Sequence, residues 1–399
     1  MKKTMCLSLA LLALGMLGCA SVQVKDEWKM LIESEAKVAA EQYMFLSANT
    51  PEDRMPKTYF SEKNEWESSS TSWWTSGFYP GTLFYIYELT GDREIWDLGV
   101  KKLEILESEK HNKGTHDLGF MLYCSFGNAD RLHPSDQYKQ VMLTGAESLA
   151  TRFKEEAGVI RSWDHGKWKY PVIIDNMMNL EFLFWASAYS GDPKYKEISI
   201  RHAKQTLKNH FREDNSSYHV IDYDPADGKV LAKQTAQGLH DESAWARGQS
   251  WGLYGYTVMY RLTKDKAYLD QANAIAEFIF AHPNLPEDLV PYWDFDITEQ
   301  NQEKRDVSAA AINASALLEL AQYVSGDKAK SYVDKAKKIM KNLSSDQYRA
   351  RGEEAGGFLL KHSVGHFKAN SEVDVPLTYA DYYYVEALLR YKKWYLNEK

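Results

Sequence analysis

Apolar segments of two kinds alternate along this chain. Residues 80–90, 175–190, 245–262 and 306–325 are apolar, aromatic or small nearly all the way round, whereas 193–211, 265–281 and 327–343 are more charged and amphipathic. The first pattern predicts helices buried on every side, and the second predicts helices that bury one stripe. A short punctuation recurs between them: Leu89-Thr90-Gly91-Asp92, Tyr189-Ser190-Gly191-Asp192, Leu262-Thr263-Lys264-Asp265 and Val324-Ser325-Gly326-Asp327. Gly just past one helix, with Asp opening the next, is the chemistry of a tight helix-to-helix turn. Adding 27–48 and 135–156 outside, and 117–126 and 378–396 inside, brings the pattern to roughly six pairs.

The turns from inner to outer helices are short. Those from outer back to inner, at 49–79, 157–174, 212–244, 282–305 and 344–377, are long and rich in Trp, Gly, Pro and His. All long loops then open on one end, which describes an all-α fold, an α/α toroid with the inner N-termini gathered at one mouth. Strand-like pieces at Tyr218 to Tyr223 and Gly357 to Lys361 are expected as small hairpins in the loops. No low-complexity linker divides residues 19–399, so one catalytic domain is expected there.

Residues 1–18 carry Lys2 and Lys3, an apolar run from Leu7 to Leu17, and then Gly18-Cys19-Ala20. This reads as a secretory signal too short to span a membrane as a helix. Its Leu-Gly-Cys ending resembles a bacterial lipoprotein signal, although Met16 stands where Leu is usual. Cys19 would be the lipidated first mature residue, and the protein an exported periplasmic or outer-membrane lipoprotein touching the membrane only through that anchor. Of three cysteines only Cys124 then remains, so no internal disulfide forms and stability rests on buried apolar area.

A net charge of -8 with no basic run argues against a nucleic-acid partner. Twelve Trp and 26 Tyr exceed what a core needs, and such rings line sites that grip sugar faces. No metal is expected, because the histidines are scattered without His-x-x-x-His or Cys-pair spacing. No cofactor is expected either, since phosphate-loop and dinucleotide signatures are missing, and there is no Gly-x-Ser-x-Gly element.

Candidate chemistry sits just ahead of the inner helices. Asp117, in His116-Asp117-Leu118-Gly119-Phe120, and Asp175, in Asp175-Asn176-Met177-Met178-Asn179, each precede an apolar helical run. One reading is simple N-capping. The other places two carboxylates in one mouth, where one pKa rises and that acid can donate a proton near neutral pH. Arg247 lies one helical turn before Trp251, a pair able to hold a carboxylate and a sugar ring, or an ordinary surface cation over an aromatic. His219 and Gln237 are expected to hydrogen-bond substrate hydroxyls, and His240 to cap a turn.

Five ordered motifs, Trp-Thr-x-Gly-Phe, His-Asp-Leu-Gly-Phe, Asp-Asn-Met-Met-Asn, Ala-Arg-Gly-Gln-x-Trp-Gly and Glu-Val-Asp-Val-Pro-Leu-x-Tyr-Ala-Asp-Tyr-Tyr, resemble the unsaturated glucuronyl hydrolases of glycoside hydrolase family 88. The resemblance runs from Trp28 to the C-terminus and implies an (α/α)6 toroid. It implies a substrate left by polysaccharide lyases, of glycosaminoglycan type, with 4,5-unsaturated glucuronic acid at its non-reducing end. By resemblance Asp175 is the general acid and base, and Asp117 its partner carboxylate, raising the pKa of Asp175. Trp74, His116, Trp163, His219, Gln237, Arg247 and Trp251 fall where the family shapes the sugar subsite. In the loop 361–368, Ser363, His366 and Lys368 either bind a substrate sulfate or only solvate the rim. Two alternatives stand beside this: an unsaturated rhamnogalacturonyl hydrolase acting on pectin fragments, and a non-catalytic glycan-binding lipoprotein.

Overall fold

A computed structural model describes residues 2–298 and 304–397, with side chains from Lys25 onward. The side chains of the expected export segment and Cys19 lie outside the described residues. Twelve α-helices are described: α1 (Lys2–Ala48), α2 (Phe78–Thr90), α3 (Arg93–Leu106), α4 (Asn128–Leu132), α5 (Asp136–Ala150), α6 (Leu180–Ser190), α7 (Lys194–Asn209), α8 (Ala246–Thr263), α9 (Lys266–Ala281), α10 (Val307–Leu320), α11 (Gly326–Leu343) and α12 (Thr378–Tyr395). A π-helix, Gly119–Gly127, runs straight into α4, and a 3-10 turn, Ile174–Asn179, runs into α6.

These elements close a ring. Its inner wall runs from α2 to the π-helix with α4, the 3-10 turn with α6, α8, α10 and α12, and α12 packs back against α2. Outside them stand α1, α3, α5, α7, α9 and α11, so the structure is the expected toroid of six helical hairpins. Sequence character sets the two layers: every residue of α10 is buried, whereas α11, with six lysines along its length, buries only Tyr332, Ala336, Ile339, Met340 and Leu343. Those five recur at helical spacing on one stripe.

The punctuation between helices behaves as its residues require, with one exception. Gly91 and Gly191 take left-handed backbone at φ 73° and 74°, and Lys264 takes the same conformation at φ 60° without being glycine. Asp92 and Asp265 accept the backbone N–H of Glu94 and Ala267 at 2.9 and 3.0 Å, capping α3 and α9. Gly326 differs, because α10 ends earlier in a short 3-10 turn and Gly326 opens α11 instead.

Small antiparallel sheets occupy the long loops. They are β1 (Met55–Phe60) with β2 (Glu65–Ser69), β3 (Phe153–Lys154) with β4 (Val159–Ile160), the three-stranded β5 (Pro171–Ile173), β6 (Val220–Tyr223) and β7 (Val230–Gln234), and β8 (Ser363–His366) with β9 (Ser371–Val375). The strand expected at Tyr218 to Tyr223 is β6. The one expected at Gly357 to Lys361 is corrected: only Leu360 there forms a bridge, to Arg349. Gly357 has φ 93°, which is turn rather than strand backbone. The buried Asp381 of α12 fastens this segment to the ring, accepting from the N–H of Leu359 and Leu360 and from the hydroxyl of Tyr43 on α1.

Candidate active site

The N-terminal ends of the inner helices meet at one mouth, and Asp117 and Asp175 come together there. Neither acts as a helix cap: no side-chain capping hydrogen bond is made at the start of the π-helix or of the 3-10 turn. Asp117 Oδ2 instead accepts the Thr115 hydroxyl at 2.6 Å, and its Oδ1 lies 3.2 Å from His116 Nε2. A chain of amides ties the two acid-bearing turns to each other. Asn179 Oδ1 accepts the Gly119 N–H at 2.9 Å, Asn179 Nδ2 donates to Asn176 Oδ1 at 2.9 Å, and Asn176 Nδ2 donates to the Ile160 carbonyl at 2.7 Å. The Asp-Asn-Met-Met-Asn motif is therefore a spacer that fixes where the carboxylates sit.

Only glycine lets that spacer close. A Cβ on Gly119 would stand 2.5 Å from Asn179 Oδ1 and 3.0 Å from the Asn179 Cα. Gly119→Ala is expected to push the two turns apart, lowering stability by about 1–3 kcal/mol and kcat/KM about 100-fold. Steady-state kinetics beside thermal melts check this, and wild-type kinetics in the variant would refute the spacer role.

Asp175 is 5 % exposed, and its Oδ2 has no hydrogen-bond partner. Its pKa is pushed up to about 7. Burial is the first cause, because water cannot solvate the ionised form. The Arg247 cation opposes the rise, the Asp117 charge adds to it, and the Trp251 indole favours the ionised form. Asp117 thus raises the pKa of Asp175, with desolvation the larger cause.

His219 is buried, and its Nδ1 accepts two backbone N–H groups, from Ala236 and Gln237, each at 3.1 Å. An accepting Nδ1 puts the proton on Nε2, which has no partner and lies 3.6 Å from Asp175 Oδ2. Burial holds this imidazole neutral, and it does the same to His116. Two neutral ring systems thus flank the acids without supplying a counter-charge.

Arg247 departs from expectation. It is 1 % exposed, with Nη1 donating to Asp306 at 2.9 Å and to the Val364 carbonyl, and Nη2 to Gln237 Oε1 at 2.8 Å and the Gly365 carbonyl at 2.7 Å. Both terminal nitrogens are committed, so it is not a free fork for a substrate carboxylate. Its guanidinium lies over Trp245 and Tyr379, at 4.4 and 5.3 Å from the ring centroids. Trp251 is fully buried against Phe120 and Tyr383. It forms the floor beneath Asp175 rather than a stacking face. Gln237, half-buried, keeps its amide nitrogen for other work after giving Oε1 to Arg247.

Trp74 packs on Tyr379 at 4.9 Å and on Phe120 at 5.7 Å, so it belongs to the same wall. Trp163 lies against His165 and Trp168 on the loop between β4 and β5, its indole nitrogen without a partner. The residues read either as a sulfate group or as rim differ in exposure. Ser363 is wholly buried on β8, His366 Nε2 is within hydrogen-bond distance of the Ala236 carbonyl at 3.0 Å, and Lys368 is exposed. His240 sits apart from the acids, paired with Asp296 at 3.0 Å, and its backbone forms a turn with Ser243.

Three contributors carried no role in the sequence reading. Asp306 caps α10 through Ser308 and pairs with Arg247; Trp245 lies under both His219 and Arg247. Glu372 is buried with Oε1 unpartnered, and burial pushes its pKa up to about 7. Glu372 opens a motif quoted from the sequence and Asp306 opens the apolar segment 306–325, yet nothing local marks them, since their neighbours are distant in the chain.

Comparisons with known proteins place this arrangement. An unsaturated glucuronyl hydrolase of Formosa agariphila is 48% identical over 321 residues, covering 79% of this chain and 79% of that one. An unsaturated chondroitin disaccharide hydrolase of Streptococcus agalactiae is 33% identical over 330 residues, covering 81% and 82%. The crystal structure of an unsaturated glucuronyl hydrolase specific for heparin superposes with a TM-score of 0.89 at 47% identity, covering 92% of this chain and 98% of that one. The profile of Glycosyl Hydrolase Family 88 matches residues 40–396, and the chain belongs to that family.

Proposed function

We propose that this enzyme releases 4,5-unsaturated glucuronic acid from the non-reducing end of lyase-generated glycosaminoglycan fragments, by hydrating the C4=C5 enol ether, with Asp175 as the single proton shuttle. The observation that carries the reading is the buried Asp175 carboxyl with an unpartnered Oδ2 and a pKa near neutrality, beside Asp117 and the neutral His219. A carboxyl in that state serves as acid first and base second. Asp175 gives its proton to C4, and positive charge spreads over C5 and the ring oxygen. Water adds at C5 and returns a proton to Asp175. The hemiketal opens, and the hemiacetal left at C1 expels the rest of the saccharide.

One shuttle suffices because the anomeric carbon is never attacked, unlike in hydrolases that set two carboxyl groups across it. His116, His219, Gln237 and Trp74 hold and orient the sugar, and Asp117 accepts its hydroxyls. The relatives named for glucuronyl and chondroitin substrates support glycosaminoglycan fragments over pectin ones. Incubation with chondroitin-lyase disaccharides is expected to remove the ultraviolet absorbance of the enol ether, while pectin-lyase products are left largely unchanged. Absorbance persisting on the chondroitin products would overturn the reading.

We infer from the N-terminal pattern alone that the mature chain begins at Cys19 and is lipid-anchored after export. Metabolic labelling with radioactive palmitate is expected to mark the full-length chain and not Cys19→Ser. Equal labelling of both would sink the assignment.

A further inference from the structure

At the opposite end of the toroid from the acids, the ring encloses a cavity of about 530 Å³. It runs from Phe120 and Tyr383 near the middle to Arg131, Lys393 and Trp394 at the far rim. Contacts of Trp251 with Phe120 and Tyr383, at 5.0 and 5.4 Å between ring centroids, separate it from the catalytic mouth. No step of the proposed reaction uses it.

Its walls combine fixed charges with indole faces. Asp130, Glu181 and Glu386 line it on the acidic side, and Arg131, Arg390 and Lys393 on the basic side. The cations are already paired: Arg131 grips Glu88 through two bonds at 2.9 and 2.6 Å, Lys393 reaches Glu88, and Arg390 lies 3.3 Å from Glu319 and 3.4 Å from Glu386. Glu386, itself buried, is held further by the hydroxyls of Tyr85 at 2.8 Å and Tyr254 at 3.1 Å. Such a lining has no excess charge with which to attract an anion or a cation. It offers preorganised donors beside preorganised acceptors, which vicinal hydroxyls can bridge because each both donates and accepts. Trp394 is 37 % exposed at the rim, and Trp185 stacks on Tyr189 at 5.3 Å, giving flat apolar surface for the carbon face of a pyranose. The volume lies in the range of small-molecule sites.

We propose that this cavity is a second saccharide site, taking a neutral hexose or N-acetylhexosamine unit on the face of the toroid away from the catalytic mouth. The inference stands whether or not the reaction above is correct. It is tested by saturation-transfer NMR of the full-length protein, titrated with N-acetylglucosamine, N,N′-diacetylchitobiose and glucuronic acid. The two neutral sugars are expected to bind saturably, to bind Asp175→Asn as well as wild type, and to bind Trp394→Ala at least tenfold more weakly. Turnover by Trp394→Ala is expected to be unchanged, which also shows that this exposed position is safe for folding. Absence of saturable binding, binding that Trp394→Ala leaves intact, or glucuronic acid bound as tightly in a Trp394-dependent way would each overturn the proposal.

Discussion

Asp175→Asn is expected to lower kcat by about 10⁴-fold or more, to leave disaccharide binding nearly intact, and to make the protein more stable at pH 8. Loss of turnover follows because an amide is nearly isosteric with the acid and cannot deliver a proton to C4. The stability gain follows from linkage. The folded pKa is raised to about 7 from an ordinary value of 3.8, so between those values the folded state binds more protons than the unfolded one. Stability therefore falls as pH climbs through that window and is lowest above about pH 7. Three units at 1.36 kcal/mol each set an upper bound of about 4 kcal/mol, which the neutral amide escapes. Melts of both proteins at pH 4 and pH 8 are expected to show the variant's advantage only at pH 8. The same titration predicts that wild-type kcat/KM declines above about pH 7 as the acid form is lost. Substantial residual activity in the variant, or a stability gain independent of pH, would contradict the assignment.

The helical frame was legible because its signal is redundant. Inner segments such as 306–325 are apolar on every face and outer ones such as 327–343 on one, and the lengths of the loops then decide which end is the mouth. What local pattern could not supply was partner choice over long separations. Spacing alone put Arg247 beside Trp251, but its cation lies over Trp245 and Tyr379, and its nearest acid is Asp306, 59 residues on. The π-helix at Gly119–Gly127 left no trace, since nine residues that are almost uniformly apolar carry no phase from which to read a period. The β8 and β9 strands escaped notice for a related reason. Strands of four and five residues pair only because the ring holds their ends. The two acids themselves were plain in the sequence. The amide chain that spaces them, through Asn176 and Asn179 to the Gly119 N–H, becomes visible only when the two turns are seen side by side.

Asp306→Ala is expected to be the most damaging single change outside the acids. Asp306 and Arg247 are both essentially without solvent exposure, so removing the carboxylate strands a guanidinium where water cannot reach it. Breaking one side of such a pair costs about 3–5 kcal/mol, and loss of the cap on Ser308 adds about 1 kcal/mol. Because so large a loss can prevent folding, Asp306→Asn is the sharper probe. Asn keeps an acceptor for Arg247 and for the cap, yet withdraws the negative charge that offsets the cation. Arg247 already favours the ionised form of Asp175. With its counter-charge gone, that influence grows and the Asp175 pKa falls. The high-pH decline of kcat/KM is therefore expected to move to lower pH in Asp306→Asn, with a melting temperature between those of wild type and Asp306→Ala. A pH profile that stays in place would mean that Arg247 only braces α8 against α10 and β8, and does not set the proton affinity of the acid above it.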